Sequence, residues 1–230
     1  MTKIVLDAMG GDHAPQAPVE GAVLAARDLA LEVVLVGREE EVRRELANHR
    51  AEGLPVSVVQ ASQVVEMDEH PAMAVRRKRD ASMVVGMDLL KHGEVDAFVS
   101  MGNTGAVLTA ALLGLGRIPG VKRPALSTVY PTVKGFRLVL DIGANTDCRP
   151  LWLQQFAIMG SVYAQRVLGI ADPGVGLLSN GEEESKGSQL VQETHGLLKA
   201  TPGIRFIGNV EGKDVTAGVA DVVVTDGFTG

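Results

Sequence analysis

The chain is poor in cysteine and in aromatic residues, and it carries no surplus of positive charge. A lone cysteine, Cys148, excludes an internal disulfide and any cysteine-cluster metal site, and it suits a reducing cytoplasm. Aromatic residues make up only 3% of the sequence, which argues against a surface that stacks nucleobases on rings. Lys and Arg number 22 against 28 Asp and Glu, giving a net charge of −6, so nonspecific affinity for nucleic acid is not expected. No apolar run reaches the ~18 residues of a spanning helix. The start, Met1 to Asp7, lacks the charged and apolar regions of a signal peptide. No histidine has HExxH-type or other metal spacing, so no metal is expected. Neither a GxxxxGK[ST] loop nor a GxGxxG fingerprint occurs, which gives little support to nucleoside triphosphate or dinucleotide binding.

What the chain does have is glycine. Its 27 glycines in 230 residues are about 12%, against about 7% in an average protein. With 46% hydrophobic residues and a mean hydropathy of +0.15, the length suffices for one sizeable core or two small domains. Short β-branched runs alternate with helix-length segments throughout. Ile4–Leu6, Val33–Val36, Val56–Val59, Ala97–Val99, Leu138–Leu140, Val175–Leu178, Arg205–Ile207 and Val222–Val224 read as strands. Most are apolar on successive residues, the pattern of parallel strands covered on both faces. Helices are expected over 18–31, 38–49, 81–92, 151–168 and 188–199. The order predicts a doubly wound, largely parallel α/β sheet, taken as a single catalytic domain over 1–230. The proline-bearing stretch 117–132 is a candidate crossover or domain seam. Because Val222–Val224 is followed by only six residues, the chain is expected to stop within a loop of a longer protein.

In open α/β sheets ligands bind where strands end and helices begin, and four such ends carry polar chemistry. Asp7-Ala8-Met9-Gly10-Gly11-Asp12-His13 brings two aspartates and the one histidine within a glycine loop to a sharp turn; the alternative is an Asp-rich turn that caps the next helix. Ser100-Met101-Gly102-Asn103-Thr104-Gly105 sets hydroxyl and amide side chains beside the N–H groups of a helix start, which suits a phosphate-sized oxyanion or a well-capped helix. Ser179 to Gly187 holds Glu182, Glu183, Glu184 and Lys186. A lysine near a helix start is unfavourable unless an anion or an acidic partner lies close; the alternative is a solvated lysine attracted to those glutamates. The fourth end is Asp226-Gly227-Phe228-Thr229-Gly230. Elsewhere, Arg76-Arg77-Lys78-Arg79 is either a solvated face or an electropositive patch for an acidic partner, with Lys122 and Arg123 as a second candidate. Cys148 is a nucleophile only with a histidine beside it, and is otherwise an inert small residue.

Together these loops resemble the PlsX family, the bacterial phosphate acyltransferases of phospholipid synthesis. The resemblance rests on Asp7-Ala8-Met9-Gly10-Gly11-Asp12, Met67-Asp68-Glu69-His70-Pro71 leading into Arg76–Arg79, Gly102-Asn103-Thr104-Gly105 and Arg123-Pro124-Ala125-Leu126. It continues through Asp141-Ile142-Gly143-Ala144-Asn145 with Asp147-Cys148, Ala157-Ile158-Met159-Gly160, the Glu182–Lys186 loop and Asp226 to Gly230. It implies the reaction of acyl-[acyl carrier protein] with inorganic phosphate to give acyl phosphate and free carrier protein. It also implies an isocitrate/isopropylmalate dehydrogenase-like fold, no organic cofactor and a homodimer. A cytoplasmic enzyme peripherally associated with the membrane is implied too, its product passing to a glycerol-3-phosphate acyltransferase. Members run on past the last motif into an asparagine, and that residue and the lysine matching Lys186 are important for activity in the family.

The chemistry agrees. Phosphate is a nucleophile near neutral pH and a thiolate a fair leaving group, so direct attack on the thioester requires no Ser–His–Asp triad, and none is present. The expectations are therefore Lys186 as the catalytic cation; Asp7, Gly10, Gly11, Asp12, His13, Ser100, Gly102, Asn103, Thr104, Gly105, Asp226, Gly227, Phe228 and Thr229 as phosphate- and substrate-binding; and Arg76, Arg77, Lys78 and Arg79 as carrier-protein-binding. The rivals are a phosphotransacetylase using acetyl-CoA, a nicotinamide-linked dehydrogenase on a similar sheet, a covalent route through Cys148, and a truncated scaffold that binds carrier protein or dimerises without turnover.

Overall fold

The computed structural model describes all residues from Met1 to Gly230. The chain divides into two compact units, Met1–Gly116 and Arg117–Gly230. The first is built on a four-stranded sheet in the order β3-β2-β1-β4, with β1 at Lys3–Asp7, β2 at Glu32–Gly37, β3 at Val56–Gln60 and β4 at Ala97–Val99. Every pairing is parallel. The successive apolar residues of β1 and β2 are explained by what covers each face. Leu6, Val33 and Leu35 pack against Val19, Ala22 and Ala26 of α1 (Gln16–Asp28) and Val42 of α2 (Glu39–Leu46). Val5, Val34 and Val36 pack on the other face with Val85 and Leu89 of α4 (Ser82–Lys91). Each fully buried valine or leucine among them, such as Val5, Val19, Leu35 or Val42, contributes roughly 1.5–3 kcal/mol. Two helices join α4 in a separate apolar cluster, α3 (Pro71–Arg77) and α5 (Thr104–Gly114).

The second unit is a five-stranded sheet in the order β5-β6-β9-β7-β8. Its strands are β5 at Ser127–Thr132, β6 at Gly135–Leu140, β7 at Gly174–Leu178, β8 at Arg205–Val210 and β9 at Val222–Val224. The last strand of the chain lies between β6 and β7, parallel to both, and all three of its valines are buried. One face is covered by α6 (Pro150–Arg166) and α7 (Gln189–Lys199), which pack Leu153, Phe156, Ala157, Val191 and Leu198 onto Leu138, Leu140, Val175, Leu177, Val222 and Val224. At Gly160 α6 comes so close that an added Cβ would lie 2.6 Å from Val222 Cγ1. The short α8 (Gly212–Ala217) brings Val215 to the smaller cluster of Val139, Val210, Ala220 and Val223.

Every strand expected from the sequence is present, and the sheets are largely parallel, as a doubly wound α/β protein requires. Two short helices not expected from the sequence, α3 and α8, are also present, and 127–132 is a strand rather than a connection. β5 pairs antiparallel with β6 across the two-residue turn Val133-Lys134. It is an edge strand, so Pro131 costs the sheet no inner hydrogen bond. Its exposed residues Val129 and Tyr130 break the buried-strand pattern that marks the others.

Candidate functional site

In the first unit β1 and β4 are parallel neighbours, so the loops that leave their carboxyl ends meet. Asp7 is buried, and its Oδ2 accepts a hydrogen bond of 2.8 Å from Ser100 Oγ while its Oδ1 accepts one from the Met9 N–H. Ser100 Oγ in turn accepts from the Gly102 N–H at 3.0 Å. A Cβ on Gly10 would fall 2.7 Å from Asp7 Oδ2 and 2.8 Å from the Gly102 nitrogen, so only glycine allows the two backbones this approach. The aspartates do not cap α1, whose N-cap is Pro15 with no side-chain hydrogen bond. Asp12 and His13 are exposed.

Asn103 is the N-cap of α5. Its Oδ1 accepts from the Ala106 N–H at 3.0 Å, and its Nδ2 donates to the carbonyls of Met67 and Glu69 at 3.1 and 3.2 Å. The side chains of Ser100 and Asn103 are thus engaged within the protein. The groups left open at this turn are the Thr104 hydroxyl and the N–H groups of Thr104 and Gly105. Of the basic run, Arg76, Arg77 and Arg79 are exposed. Lys78 turns inward, donating to Glu69 Oε2 at 2.5 Å and to the Val64 carbonyl at 2.6 Å. The hydrogen bond from Lys78, seconded by the Glu66 N–H, holds the Glu69 carboxyl below its usual pKa.

In the second unit the same rule brings three loops together, because β6, β9 and β7 run parallel side by side. Asp141, fully buried at the end of β6, accepts from the N–H groups of Leu126, Gly143 and Ala144 at Oδ1, and from the N–H and Nδ2 of Asn145 at Oδ2. The loop after β9 lies on this one: the Gly227 N–H donates to the Asn145 carbonyl at 2.8 Å, and a Cβ on Gly227 would sit 2.9 Å from the Asn145 nitrogen. Asp226 closes its own turn, accepting from the N–H groups of Phe228 and Thr229 and from Thr229 Oγ1. Phe228 is 83% exposed. Cys148 donates to the Asn145 carbonyl, and burial, with the charges of Asp141, Asp226 and Asp147 behind it, raises its pKa to about 11. It is therefore a neutral thiol at pH 7, the wrong state for a nucleophile.

Between the loop after β9 and the loop after β7 lies a hollow of about 390 Å³, lined by Ser179, Asn180, Gly187, Ser188, Val191, Gly212, Asp226 and Thr229 among others. The start of α7 opens onto it. Ser188 caps that helix with its hydroxyl toward the Val191 N–H, while the N–H groups of Gln189 and Leu190 have no acceptor in the chain. Ser179 Oγ is buried without a hydrogen-bond partner. Gly187 is among the residues lining the hollow, and the turn 183–187 bears Lys186, which is exposed and in no ion pair. Two of the three glutamates around it are engaged elsewhere, Glu184 with Lys199 at 2.6 Å and Glu182 with Lys213 at 3.7 Å, while the exposed Glu183 carboxylate forms no ion pair. The Lys199 hydrogen bond and charge keep the Glu184 carboxyl below its ordinary pKa. Glu182, Glu211 and Asp214 bring carboxylate oxygens within 4.8 Å of one another. That trio is already satisfied: Lys213 pairs with two of its members, and Glu211 and Asp214 form the capping box of α8.

An open helix N-terminus and polar side chains in one concavity, with the exposed Lys186 one residue before its lining residue Gly187, can hold a small oxyanion. Of these groups the sequence had marked Lys186, Asp226 and Thr229. The helix start at Ser188 is also expected from the sequence, but Ser188 and the α7 amides are not named there as ligand groups. Asp141 lay within a quoted motif, but five donors converging on one carboxylate is a property of the fold alone.

Comparison with known proteins gives the following. The family model described as "Fatty acid synthesis protein" matches residues 2–230. A phosphate acyltransferase of Herpetosiphon aurantiacus is 56% identical over 229 residues, 99% of this chain and 62% of that protein. One of Dictyoglomus turgidum is 52% identical over 229 residues, 99% of this chain and 68% of that protein. The chain thus spans about two thirds of its relatives' length. Among solved structures, a phosphotransacetylase from Streptococcus pyogenes superposes with a TM-score of 0.75 at 19% identity, covering 99% of this chain and 78% of that one. A branched-chain phosphotransacylase from Enterococcus faecalis gives 0.64 at 17% identity, covering 97% and 78%. At these identities the structural matches speak to the fold alone.

Proposed function

This chain belongs to the fatty acid synthesis protein family, the PlsX family of the sequence resemblance, and from that premise we propose that it transfers an acyl group from acyl-[acyl carrier protein] to inorganic phosphate. The hollow at the start of α7 carries the reading. The N–H groups of Gln189 and Leu190 seat the phosphate, and the ammonium of Lys186 balances its charge. A phosphate oxygen attacks the thioester carbonyl, giving a tetrahedral oxyanion. Collapse breaks the C–S bond, releasing acyl phosphate and the carrier's thiolate, which takes a proton from water. Nothing in this sequence of bonds requires a side-chain nucleophile, which fits a Cys148 held as a thiol. Lys186 serves the developing oxyanion, a task worth ~2–4 kcal/mol of barrier.

The remaining assignments follow from the same premise. Arg76, Arg77 and Arg79, exposed and without carboxylate partners, are the basic surface that meets the acidic carrier, with Lys78 in a supporting role. The Thr104 and Gly105 N–H groups, with Asp12 and His13, form a second polar turn for substrate, shaped by Asp7, Gly10, Gly11, Ser100, Gly102 and Asn103. Gly227 and Phe228, on the same loop as the lining residues Asp226 and Thr229, are assigned to substrate with them. A homodimer, peripheral attachment to a membrane and delivery of product to a glycerol-3-phosphate acyltransferase complete the proposal. No helix is long and apolar enough to cross a membrane.

The experiment is thiol release from a long-chain acyl carrier protein, with and without phosphate, run beside acetyl-CoA. Phosphate-dependent release from the carrier alone is the expected result. Preference for acetyl-CoA favours a phosphotransacetylase, the rival named from the sequence. Carrier binding without turnover overturns the assignment of activity to this chain.

A further inference from the structure

We infer that Asn209 is the positioning residue for Lys186, an inference that rests on the role proposed for that lysine. Asn209 lies on β8, paired with Leu177 of β7, and is only 6% exposed. Its Nδ2 donates to the Glu183 carbonyl at 2.9 Å. That same oxygen accepts the N–H of Lys186 at 3.0 Å, so a single carbonyl joins the asparagine to the backbone of the lysine.

The turn is gripped at alternate residues on either side of Lys186. Asn180 Oδ1 accepts the Gly187 N–H at 2.9 Å, and Gln192 Nε2 donates to the carbonyls of Ser185 and Gly187 at 2.9 and 3.1 Å. Gly181 keeps the lysine's stem close, since a Cβ there would lie 2.8 Å from Lys186 Cγ. Asn180 and Gln192 belong to the loop and to the helix that follows it. Asn209 alone reaches in from a strand on the far side of β7, 26 residues along the chain, and ties the turn to the sheet.

Asparagine is a poor choice for a buried strand position. Here its Oδ1 has no partner at all, an arrangement that weakens a fold rather than strengthening it. What the residue does accomplish is to fix the turn that presents the ammonium. A cation that stabilises a transition state must be in place before charge develops, because misplacement by about 1 Å costs on the order of a hundredfold in rate.

The test uses Asn209→Asp, which keeps the shape and removes the donor, with Asn209→Leu as a second variant that removes it without adding a charge. Phosphate-dependent turnover is measured beside backbone amide exchange of the 183–187 segment and of the β7 and β8 amides. The expected result is a kcat lower by about tenfold to a hundredfold, with the phosphate KM changed by less than about threefold. Exchange accelerates in 183–187 while β7 and β8 stay protected. A kcat within about twofold of the parent chain in a folded variant overturns the inference, as does unchanged exchange in 183–187. If the parent chain shows no phosphate-dependent turnover, the functional reading fails by itself and exchange alone decides: acceleration confined to 183–187 upholds the tether and its absence refutes it.

Discussion

The two units solve the same problem in the same way and end with opposite surfaces. In each, adjacent parallel strands send glycine-rich loops off the same edge of a sheet. In the first unit most polar side chains of those loops turn on one another, and Thr104, Asp12 and His13 are the ones left open. Asp7 binds Ser100, Ser100 binds Gly102, and Asn103 spans from its own helix to the carbonyls of Met67 and Glu69. In the second unit Asp141 does that structural work, and groups remain over: Lys186, the α7 amides and the orphaned hydroxyl of Ser179. A polar residue in a glycine loop is as well suited to holding the loop as to holding a ligand. Which it does depends on whether its hydrogen-bonding capacity is already filled.

That contrast can be broken at several points. The largest effect is expected at Lys186. Lys186→Ala should lower acyl phosphate formation by about 10²–10³-fold, a ~2–4 kcal/mol loss of transition-state stabilisation, with circular dichroism and melting unchanged. Turnover like that of the parent chain would remove the lysine from the mechanism. In the first unit the effect should fall on stability instead. Asn103→Ala deletes a helix cap and the hold on two carbonyls, and should cost roughly 2–3 kcal/mol in denaturant unfolding, while the folded fraction keeps its phosphate KM. A raised KM without loss of stability would make Asn103 a ligand group and erase the distinction between the units.

Gly10→Ala is smaller. The new methyl would press on Asp7 Oδ2 and the Gly102 nitrogen, which are fixed by their own hydrogen bonds, for a loss of about 1–3 kcal/mol. The smallest effect is at Cys148. Cys148→Ala should leave turnover intact. Because its pKa is pushed up to about 11 from the usual 9.0, the thiolate fraction at pH 8 falls about a hundredfold. Alkylation should be slow there and rise steeply above pH 10. Rapid labelling at pH 8, or loss of activity in the alanine variant, would revive a covalent route.

The strands of the sheets were legible because both faces of a parallel strand are covered, and Val222–Val224 announced itself even with little chain after it. Ser127–Thr132 did not: an edge strand with one face in water, broken by Pro131, looks like a loop. The candidate site was half legible. Glycine turns after apolar runs located both clusters. Sequence could not reveal that Asn103 was fully bonded, that Lys78 turned inward to Glu69, or that Glu182 and Glu184 had found Lys213 and Lys199 and left Lys186 alone. Those outcomes are decided by neighbours remote in sequence.

A crystal soaked in phosphate, at concentrations that saturate turnover, tests the central claim most directly. The account predicts the anion against the N–H groups of Gln189 and Leu190, in the hollow lined by Ser179, Ser188 and Thr229, with the Lys186 side chain turned to it. Phosphate seated only at the Thr104–Gly105 turn, with the start of α7 left empty, would contradict it.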